Sequence, residues 1–420
     1  MPQTLYKPFS NLHRTLKCAI LEAHNPLNYW GNLAPSSAVK LVGNYAGKFG
    51  EVMRRGTVFL LLFIVFVAGV IGVSQFLRTQ PALNITFAVD SLAVDWVREA
   101  ANRFNASSPL VNGTQRIQVE VSVIGDMDVW EGEANWTTQN HPDGWIPSSS
   151  VSLSYAQSAN VPMQAVADST ARTLLVWGGY ASRVAIITQD GTVPFDWETV
   201  QVAAEAASWR QLGGDPSWGF VKLAFPIPDS TMTGLAALLS GAANFNDTDD
   251  LSGGSTRGTD FYNWLTPIIA SVPNFQTLGA DVAKTVARGP STVEIAILPE
   301  SQWLLNLSAM IGNESVVLSY PAYDFVFDFP VARWDDLQTT ETERAAVKAF
   351  ADWLLTGKEQ SFLVEKGLRP ALGEVPTTAS LFSGATQYGI QLTPTFQSIQ
   401  APSRTDAQGL MQWFATNQRR

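Results

Sequence analysis

Residues 57–76, TVFLLLFIVFVAGVIGVSQF, form an uncharged and strongly apolar run. A helix of about 20 such residues spans the hydrocarbon core of a bilayer. A helix of this length in a soluble domain is seldom apolar on every face. Arg54 and Arg55 precede the run and Arg78 follows it, so the positive-inside rule places the N-terminus in the cytoplasm. The sequence therefore predicts a single transmembrane helix with the larger, C-terminal part of the chain outside the membrane.

Two alternatives concern this N-terminal region. Gly72 and Ser74 are small enough for a signal-peptidase site, but the apolar run is longer than the roughly 7–15 residues of a secretory signal. An uncleaved anchor is therefore favoured over a cleaved signal peptide. Residues 1–56 are either a cytoplasmic tail or an upstream extension that is not translated, because Met53 would also make an ordinary start before an apolar segment.

Charge and cysteine content narrow the functional classes. Residues 1–56 carry a net charge of +5, so the rest of the chain carries −15 of the total of −10. A nucleic-acid-binding protein needs a basic face to displace the counterions of phosphate, so this role is not expected. The only cysteine is Cys18, on the predicted cytoplasmic side, so the outer region has no disulfide. An exported region of this size without disulfides is typical of a bacterial envelope protein.

The outer region begins with a strand, a helix and a second strand. LNITFAVD and RIQVEVSVIG alternate between apolar and polar residues, and the segment between them has apolar residues at helical spacing. Two strands joined by a helix form a parallel pair with a right-handed crossover. Further strands are predicted at 182–188 and 323–334, and Thr340 with Glu343 has capping-box spacing before another helix.

This order predicts an α/β fold with two lobes, in which the strands at 182–188 and 323–334 form a hinge. A ligand would then lie between the lobes, at the carboxyl ends of strands and the N-termini of helices. The predicted organisation is a tail at 1–56, a transmembrane helix at 57–76, lobe I at 83–189 and 326–373, lobe II at 190–325, and a C-terminal tail at 374–420 with a short final helix.

Four motifs resemble a known family, the periplasmic-type solute-binding proteins of type II, and especially the molybdate-binding ones. FAVDSLAVDW looks like their first strand-to-helix turn, and PDGWIPSSS looks like a later turn that supplies a second hydroxyl. PIPDSTMTGLAALL is similar to the P-x-x-S-x-T/S-G segment of the second lobe, and VEIAILPESQW to a strand whose end faces the cleft. The resemblance covers about residues 83–373. It extends to surface proteins in which such a domain precedes a von Willebrand A domain, although the latter domain is not expected within these 420 residues.

The resemblance implies a ligand site made by hydroxyl, carboxylate and amide groups from both lobes. In the second lobe, Asp229 is expected to cap a helix while Thr231 and Thr233 contact the ligand. The candidate ligand-binding residues are Asp90, Ser91, Ser148, Ser149, Ser150, Ser230, Thr231, Thr233 and Glu300. For each hydroxyl, the alternative is an ordinary helix cap.

Asp90 and Glu300 distinguish this chain from the molybdate binders. Two carboxylates in one cleft repel an anion, so a cationic, zwitterionic or neutral polar ligand is expected. His141 is the only histidine of the predicted outer region, since His13 and His24 precede the membrane segment. No catalytic or nucleotide-binding motif is present either, so neither an enzyme nor a cofactor or metal site is expected.

The sequence thus predicts a membrane-anchored extracytoplasmic protein of a bacterial cell membrane. It would capture a small polar solute for transport or sensing, with an ABC-type permease or a von Willebrand A domain protein as a possible partner. The alternative is a structural or adhesion module that has the same fold and binds no small molecule.

Overall fold

A computed structural model describes residues 58–70, 72, 81–206, 208–278 and 281–418. The chain divides into two compact units, Met1–Ser74 and Gln75–Arg420. In the first unit, residues 58–70 are helical and their side chains are exposed. No helix among the described residues is both long and apolar enough to cross a membrane. Residues 57, 71 and 73–76 of the predicted transmembrane segment 57–76, and the whole of residues 1–56, lie outside the described residues.

The second unit contains two mixed α/β lobes, each built around one sheet. The strands of the lobe I sheet are, in spatial order, β2 (Leu110–Val111), β3 (Gln115–Val123), β1 (Leu83–Val89), β4 (Gly144–Ile146), β12 (Val331–Trp334) and β5 (Met163–Ala167). Its helices are α1 (Val94–Ala106), α2 (Asp126–Trp130), α3 (Ser150–Ser158), α11 (Glu341–Leu354) and α12 (Gly357–Val364).

The lobe II sheet has the order β11 (Val326–Phe327), β6 (Ala171–Tyr180), β8 (Ile295–Pro299) and β7 (Leu223–Ala224), and β9 (Val316–Ser319) and β13 (Arg369–Pro370) also pair with β6. Its helices are α4 (Ala181–Ile187), α5 (Trp197–Ala206), α6 (Met232–Asn246), α7 (Thr259–Ala270), α8 (Phe275–Leu278), α9 (Val282–Val286) and α10 (Glu300–Ile311). Short 3-10 helices lie at Pro216–Trp218 and Thr386–Tyr388.

The predicted strand-helix-strand unit at the start of lobe I is confirmed. Strand β1 pairs in parallel with β3, with Leu83 opposite Ile117, and also in parallel with β4. Helix α1 packs on this pair and buries Val97, Ala101 and Phe104, which share one face of the helix. The capping box of α11 is also confirmed, because Thr340 and Glu343 each bond to the other's backbone amide.

Neither of the two predicted hinge strands has the secondary structure that was expected. Residues 182–188 were expected to be a strand, but they form α4, with Val184 and Ile187 buried three residues apart. A short apolar run fits a buried strand and a buried helix equally well, so its pattern does not decide between them. The predicted strand 323–334 is divided into β10 (Tyr323–Asp324), β11 and β12. The break between β11 and β12 contains Phe329, which has a positive φ of 44°, and Pro330, which follows it.

The chain crosses between the lobes at residues 168–170 and again at 328–330. The first crossing therefore lies earlier in the chain than the expected boundary at residue 189. Thr170 joins the two crossings, since its hydroxyl donates to the Phe329 carbonyl at 2.6 Å and its amide to the same carbonyl at 3.1 Å. A third crossing follows α12, because β13 pairs with β6.

The C-terminal region from residue 374 is folded rather than an extended tail. It contains α13 (Ser380–Ala385), β14 (Gln397–Ser398), which pairs in parallel with β10, and α14 (Arg404–Asn417). The predicted final helix is confirmed, and it begins at Arg404, three residues before the segment that the sequence indicated.

Candidate functional site

One edge of the lobe I sheet collects polar residues from three parallel strands. Strands β1, β3 and β4 run in the same direction, so their carboxyl ends meet at this edge. Asp90 follows β1 directly, Asp126 begins α2 just after β3, and Ser148 lies shortly after β4. The structure thus brings together two of the predicted site residues and adds Asp126, which sequence reasoning missed.

The Asp126 carboxylate binds the serine turn, which we define as residues 148–150. It accepts hydrogen bonds from the Ser148 amide at 3.0 Å, the Ser148 hydroxyl at 2.5 Å and the Ser152 hydroxyl at 2.6 Å. The Asp126 side chain is almost completely buried. It therefore positions Ser148 and the start of α3 from within lobe I. The signal for it was an aspartate directly after a predicted strand, in the sequence VSVIGDMD.

Asp90 lies close enough to Asp126 for the two carboxylates to repel each other. Asp90 is 7% exposed, and its Oδ1 accepts a hydrogen bond from the Leu92 amide at 2.9 Å. Burial raises the pKa of Asp90 from 3.8 to about 6, and hydrogen bonds from the backbone amides oppose this rise. Burial and the negative charge of Asp90 together raise the pKa of Asp126 well above its ordinary value. Within the described ranges, neither carboxylate forms an ion pair with a basic side chain.

The other predicted serines of lobe I have different surroundings. Ser149 is the N-cap of α3, and its hydroxyl accepts from the Ser152 amide at 3.2 Å. Ser150 is exposed, and its amide donates to Asp328 Oδ1 at 2.6 Å. Ser91 is also exposed and does not cap α1, whose N-cap residue is Ala93. Ser149 therefore has the ordinary capping role, whereas Ser91 and Ser150 are exposed residues.

Asp328 connects this edge to the hinge. It belongs to the second crossing between the lobes, and its carboxylate holds the first amide of α3. The Phe329 amide also donates to the Ser148 carbonyl at 3.3 Å. Burial raises the pKa of Asp328. Any rotation at this crossing therefore acts directly on the serine turn.

The lobe II part of the site is the turn before α6. Thr231 is the N-cap of α6, and its hydroxyl accepts from the Gly234 amide at 3.1 Å and donates to the Ile227 carbonyl at 2.7 Å. The Thr233 hydroxyl donates to the Thr231 hydroxyl at 3.3 Å, and Ser230 is exposed. The expectation that Asp229 caps this helix is wrong, because the helix begins two residues later than the motif suggested.

Gly234 explains why the motif needs a glycine at this place. A Cβ at Gly234 would lie 2.3 Å from the Pro226 carbonyl oxygen and 2.6 Å from the Ile227 carbonyl oxygen. Real side chains do not approach backbone atoms this closely, so only glycine lets the first turn of α6 pack on the preceding segment. The threonine hydroxyls are thereby held at the N-terminus of a long buried helix.

The Glu300 carboxylate forms an ion pair and hydrogen bonds with other side chains of this protein. The side chain is fully buried and forms a two-pronged ion pair with Arg369, with both N–O distances 2.6 Å. Tyr320 donates a third hydrogen bond to the same carboxylate. Arg369 also donates to the Leu392 and Gln391 carbonyls. Both Glu300 oxygens are thus engaged within lobe II, so Glu300 acts here as an anchor for β13 and the following segment.

Acidic side chains of the two lobes lie close enough to interact electrostatically. Glu131 directly follows α2 in lobe I. Burial raises the pKa of Glu131, and the negative charge of Asp229 in lobe II adds a smaller contribution to this rise. In the part of the chain that the structure describes, no group of three or more His, Cys, Asp or Glu side chains could hold a metal ion. The arrangement offers hydroxyls and acidic oxygens, which suit hydrogen-bond donors and positive charge.

One known protein family matches most of this chain. A family model described as bacterial extracellular solute-binding protein matches residues 85–369. A search of curated proteins found no match.

Several solved structures are similar to this chain. An ABC transporter protein from Clostridium perfringens is 11% identical, with a TM-score of 0.51, and the match covers 80% of this chain and 98% of that one. The cyclic α-maltosyl-1,6-maltose binding protein of Arthrobacter globiformis is 13% identical, with a TM-score of 0.50 and coverage of 80% and 95%. A sulfate-binding protein of Mycobacterium tuberculosis is 16% identical, with a TM-score of 0.48 and coverage of 77% and 96%.

Proposed function

The chain belongs to the bacterial extracellular solute-binding protein family, and from this premise we propose that it captures a small polar solute between its two lobes. The observation that carries the proposal is the edge of the lobe I sheet, where Asp90, Asp126 and the serine turn converge at the ends of three parallel strands. Binding in this fold class occurs at such edges and at helix N-termini. The Thr231 turn of lobe II would close on the solute from the opposite side.

The solute we propose is cationic, zwitterionic or neutral rather than an oxyanion. Anion sites at helix N-termini use free backbone amides. Here the amides of Ser148 and Ser150 already donate to Asp126 and Asp328. Asp90 adds a further buried carboxylate beside them. A molybdate-like or sulfate-like ligand would meet these acidic groups, whereas an ammonium or hydroxyl group would be attracted to them.

We also propose that the apolar segment 57–76 anchors the protein to a bacterial cell membrane, with the N-terminus in the cytoplasm and the solute-binding unit outside. The support is its length, its lack of charge and the arginines that precede it. In this position the unit would deliver its solute to an ABC-type permease or report its presence to a sensor. A protein with a von Willebrand A domain is a second possible partner, by analogy with the chains that this sequence resembles.

A thermal-shift screen of the unit Gln75–Arg420 tests the proposal, because a ligand that binds only the folded state raises the midpoint by mass action. The panel contains amino acids, polyamines, neutral sugars and oxyanions. We expect a concentration-dependent rise with a compound of one of the first three classes, and loss of that rise in Asp90→Asn. No rise with any compound would favour the alternative function, a structural or adhesion module without a ligand. A rise with an oxyanion alone would refute the proposed solute class.

A further inference from the structure

The C-terminal strap, which we define as residues 397–418, is firmly attached to lobe II. Strand β14 pairs with β10, and Gln400 exchanges backbone hydrogen bonds with the loop at Asp249 and Leu251, at 2.7 and 3.0 Å. In α14, Trp413 stacks on Tyr262 with ring centroids 4.3 Å apart. These contacts combine sheet pairing with aromatic packing, which makes the strap an integral part of lobe II.

Apolar burial strengthens this attachment. Helix α14 buries Ala407, Leu410, Met411 and Phe414 along one face. The Phe414 ring meets Phe275 of α8 edge to face, with centroids 5.0 Å apart. Arg257 of lobe II forms an ion pair with Asp406 on the same helix. Removal of this face from lobe II would expose a continuous apolar surface.

The same strap also contacts lobe I through polar groups. The Tyr155 hydroxyl donates to the Pro402 carbonyl at 2.8 Å. The Arg404 guanidinium lies over the Trp130 ring at 6.0 Å, and the Gln408 side chain hydrogen-bonds Glu131. The buried face of α14 is not needed for any of these three contacts. The strap is therefore strongly held on one lobe and weakly held on the other.

These weak contacts lie beside the candidate site. Trp130 ends α2, the helix that begins with Asp126, and Tyr155 belongs to α3, which Ser149 caps. At its far end the strap reaches the lobe II turn, where the side-chain amide Nε2 of Gln418 donates to Asp229 Oδ2 at 3.1 Å. The strap thus passes from one part of the site to the other.

We propose that the strap is a latch that holds the two lobes together at the mouth of the cleft, and that its release from Trp130, Glu131 and Tyr155 must precede opening. The role of the latch in controlling solute access rests on the proposed function. The restraint on lobe movement does not rest on the proposed function, because it follows from the contacts alone. A reversible latch needs this asymmetry, since a permanent anchor on one lobe keeps the strap in position to rebind the other.

The experiment measures the distance between the lobes in the full chain without any solute. Cys18→Ser removes the only cysteine. Spin labels are then introduced by Leu337→Cys in lobe I and Phe220→Cys in lobe II, because these side chains are 106% and 73% exposed. Double electron–electron resonance reports the distribution of label distances.

The variant that tests the latch combines Tyr155→Phe, Arg404→Ala and Gln408→Ala, which removes the lobe I contacts and leaves the buried face of α14 intact. We expect one narrow distance distribution in the parent protein and an added population at longer distance in the variant. Gln412→Ala, an exposed change on the same helix, should leave the distribution unchanged. Circular dichroism establishes that each variant is folded. Tyr155→Phe alone, which deletes a single hydroxyl, provides a milder variant and should give a smaller long-distance population.

An unchanged distribution in a folded triple variant would overturn the latch. This result is separable from the solute screen. A longer-distance population without any thermal shift would support the latch and count against solute binding. A thermal shift with unchanged label distances would support solute binding and overturn the latch.

Discussion

Replacement of Asp90 by asparagine should change how the stability of the outer unit depends on pH. Asparagine keeps an oxygen that can accept the Leu92 amide, which Asp90 Oδ1 binds at 2.9 Å. It removes the negative charge from a site that is 7% exposed and close to Asp126. The substitution therefore isolates the electrostatic contribution of one buried carboxylate.

The size of the stability change follows from the pKa of Asp90. Burial raises the Asp90 pKa from 3.8 to about 6 in the folded protein, and each pKa unit corresponds to about 1.4 kcal/mol. The folded state therefore binds this proton more tightly than the unfolded state. The free energy of unfolding should fall by roughly 3 kcal/mol from this group as the pH rises from about 4 to above 6. In Asp90→Asn this contribution is absent. The free energy of unfolding of the variant should therefore equal that of the parent near pH 3.5 and exceed it by roughly 3 kcal/mol at pH 7.

Removal of this charge also relieves Asp126. The negative charge of Asp90 contributes to raising the pKa of Asp126, so part of the destabilisation that Asp126 causes above its ordinary pKa should disappear in the same variant. The two effects have the same sign, and both increase the difference between variant and parent at neutral pH.

Urea unfolding followed by tryptophan fluorescence at several pH values between 3.5 and 7 measures this difference. Asp95→Asn is a matched control, since it removes a mostly exposed carboxylate from the neighbouring helix α1. Parallel pH profiles for Asp90→Asn and the parent would refute the reasoning, because they would mean that Asp90 is charged and well solvated in the folded protein.

Three further substitutions test the packing and hydrogen bonds around the site, each by denaturant or thermal unfolding. Glu300→Gln should cost about 3–5 kcal/mol, because it leaves the Arg369 charge buried without its partner. Gly234→Ala should cost about 1–3 kcal/mol, because its methyl group would overlap the Pro226 carbonyl. Thr231→Ala should cost about 1 kcal/mol through loss of the α6 cap, and Thr231→Ser should recover most of this loss.

Matched controls separate these mechanisms from general sensitivity to mutation. Glu341→Gln removes an exposed partner of Arg344 and should change stability by less than about 1 kcal/mol. Gly409→Ala lies in α14 with open space around the added methyl and should stabilise by roughly 0.5–1 kcal/mol. Equal effects of Glu300→Gln and Glu341→Gln would contradict the buried ion pair. Stabilisation by Gly234→Ala would contradict the close packing of α6, and failure of Thr231→Ser to recover stability would contradict the cap.

Local patterns in the sequence determined much of lobe I and the order of the elements. The alternation in β1 and β3, the apolar face of α1 and the Thr340–Glu343 capping box each involve residues within a few positions of one another. Such patterns reflect backbone geometry and one-sided burial, so they can be interpreted without knowing the partners.

Partnerships between distant residues were decided only by the tertiary structure. Asp126 binds Ser148, Asp328 holds the first amide of α3, and Glu300 pairs with Arg369, all across long stretches of sequence. No periodicity records such pairs, because a carboxylate next to a strand looks the same whether it meets a solute, an amide or an arginine.

The same limit applies to segment 182–188 and to the C-terminal strap. The apolar run at 182–188 suited a strand and a helix equally, and packing in lobe II made it α4. The strap was expected to be a tail because its sequence is polar, yet one apolar face of α14 is buried on lobe II and Pro402 meets Tyr155 of lobe I. Composition determined that this region is half polar. The fold decided that Pro402 and Arg404 of this region would contact Tyr155 and Trp130 of lobe I.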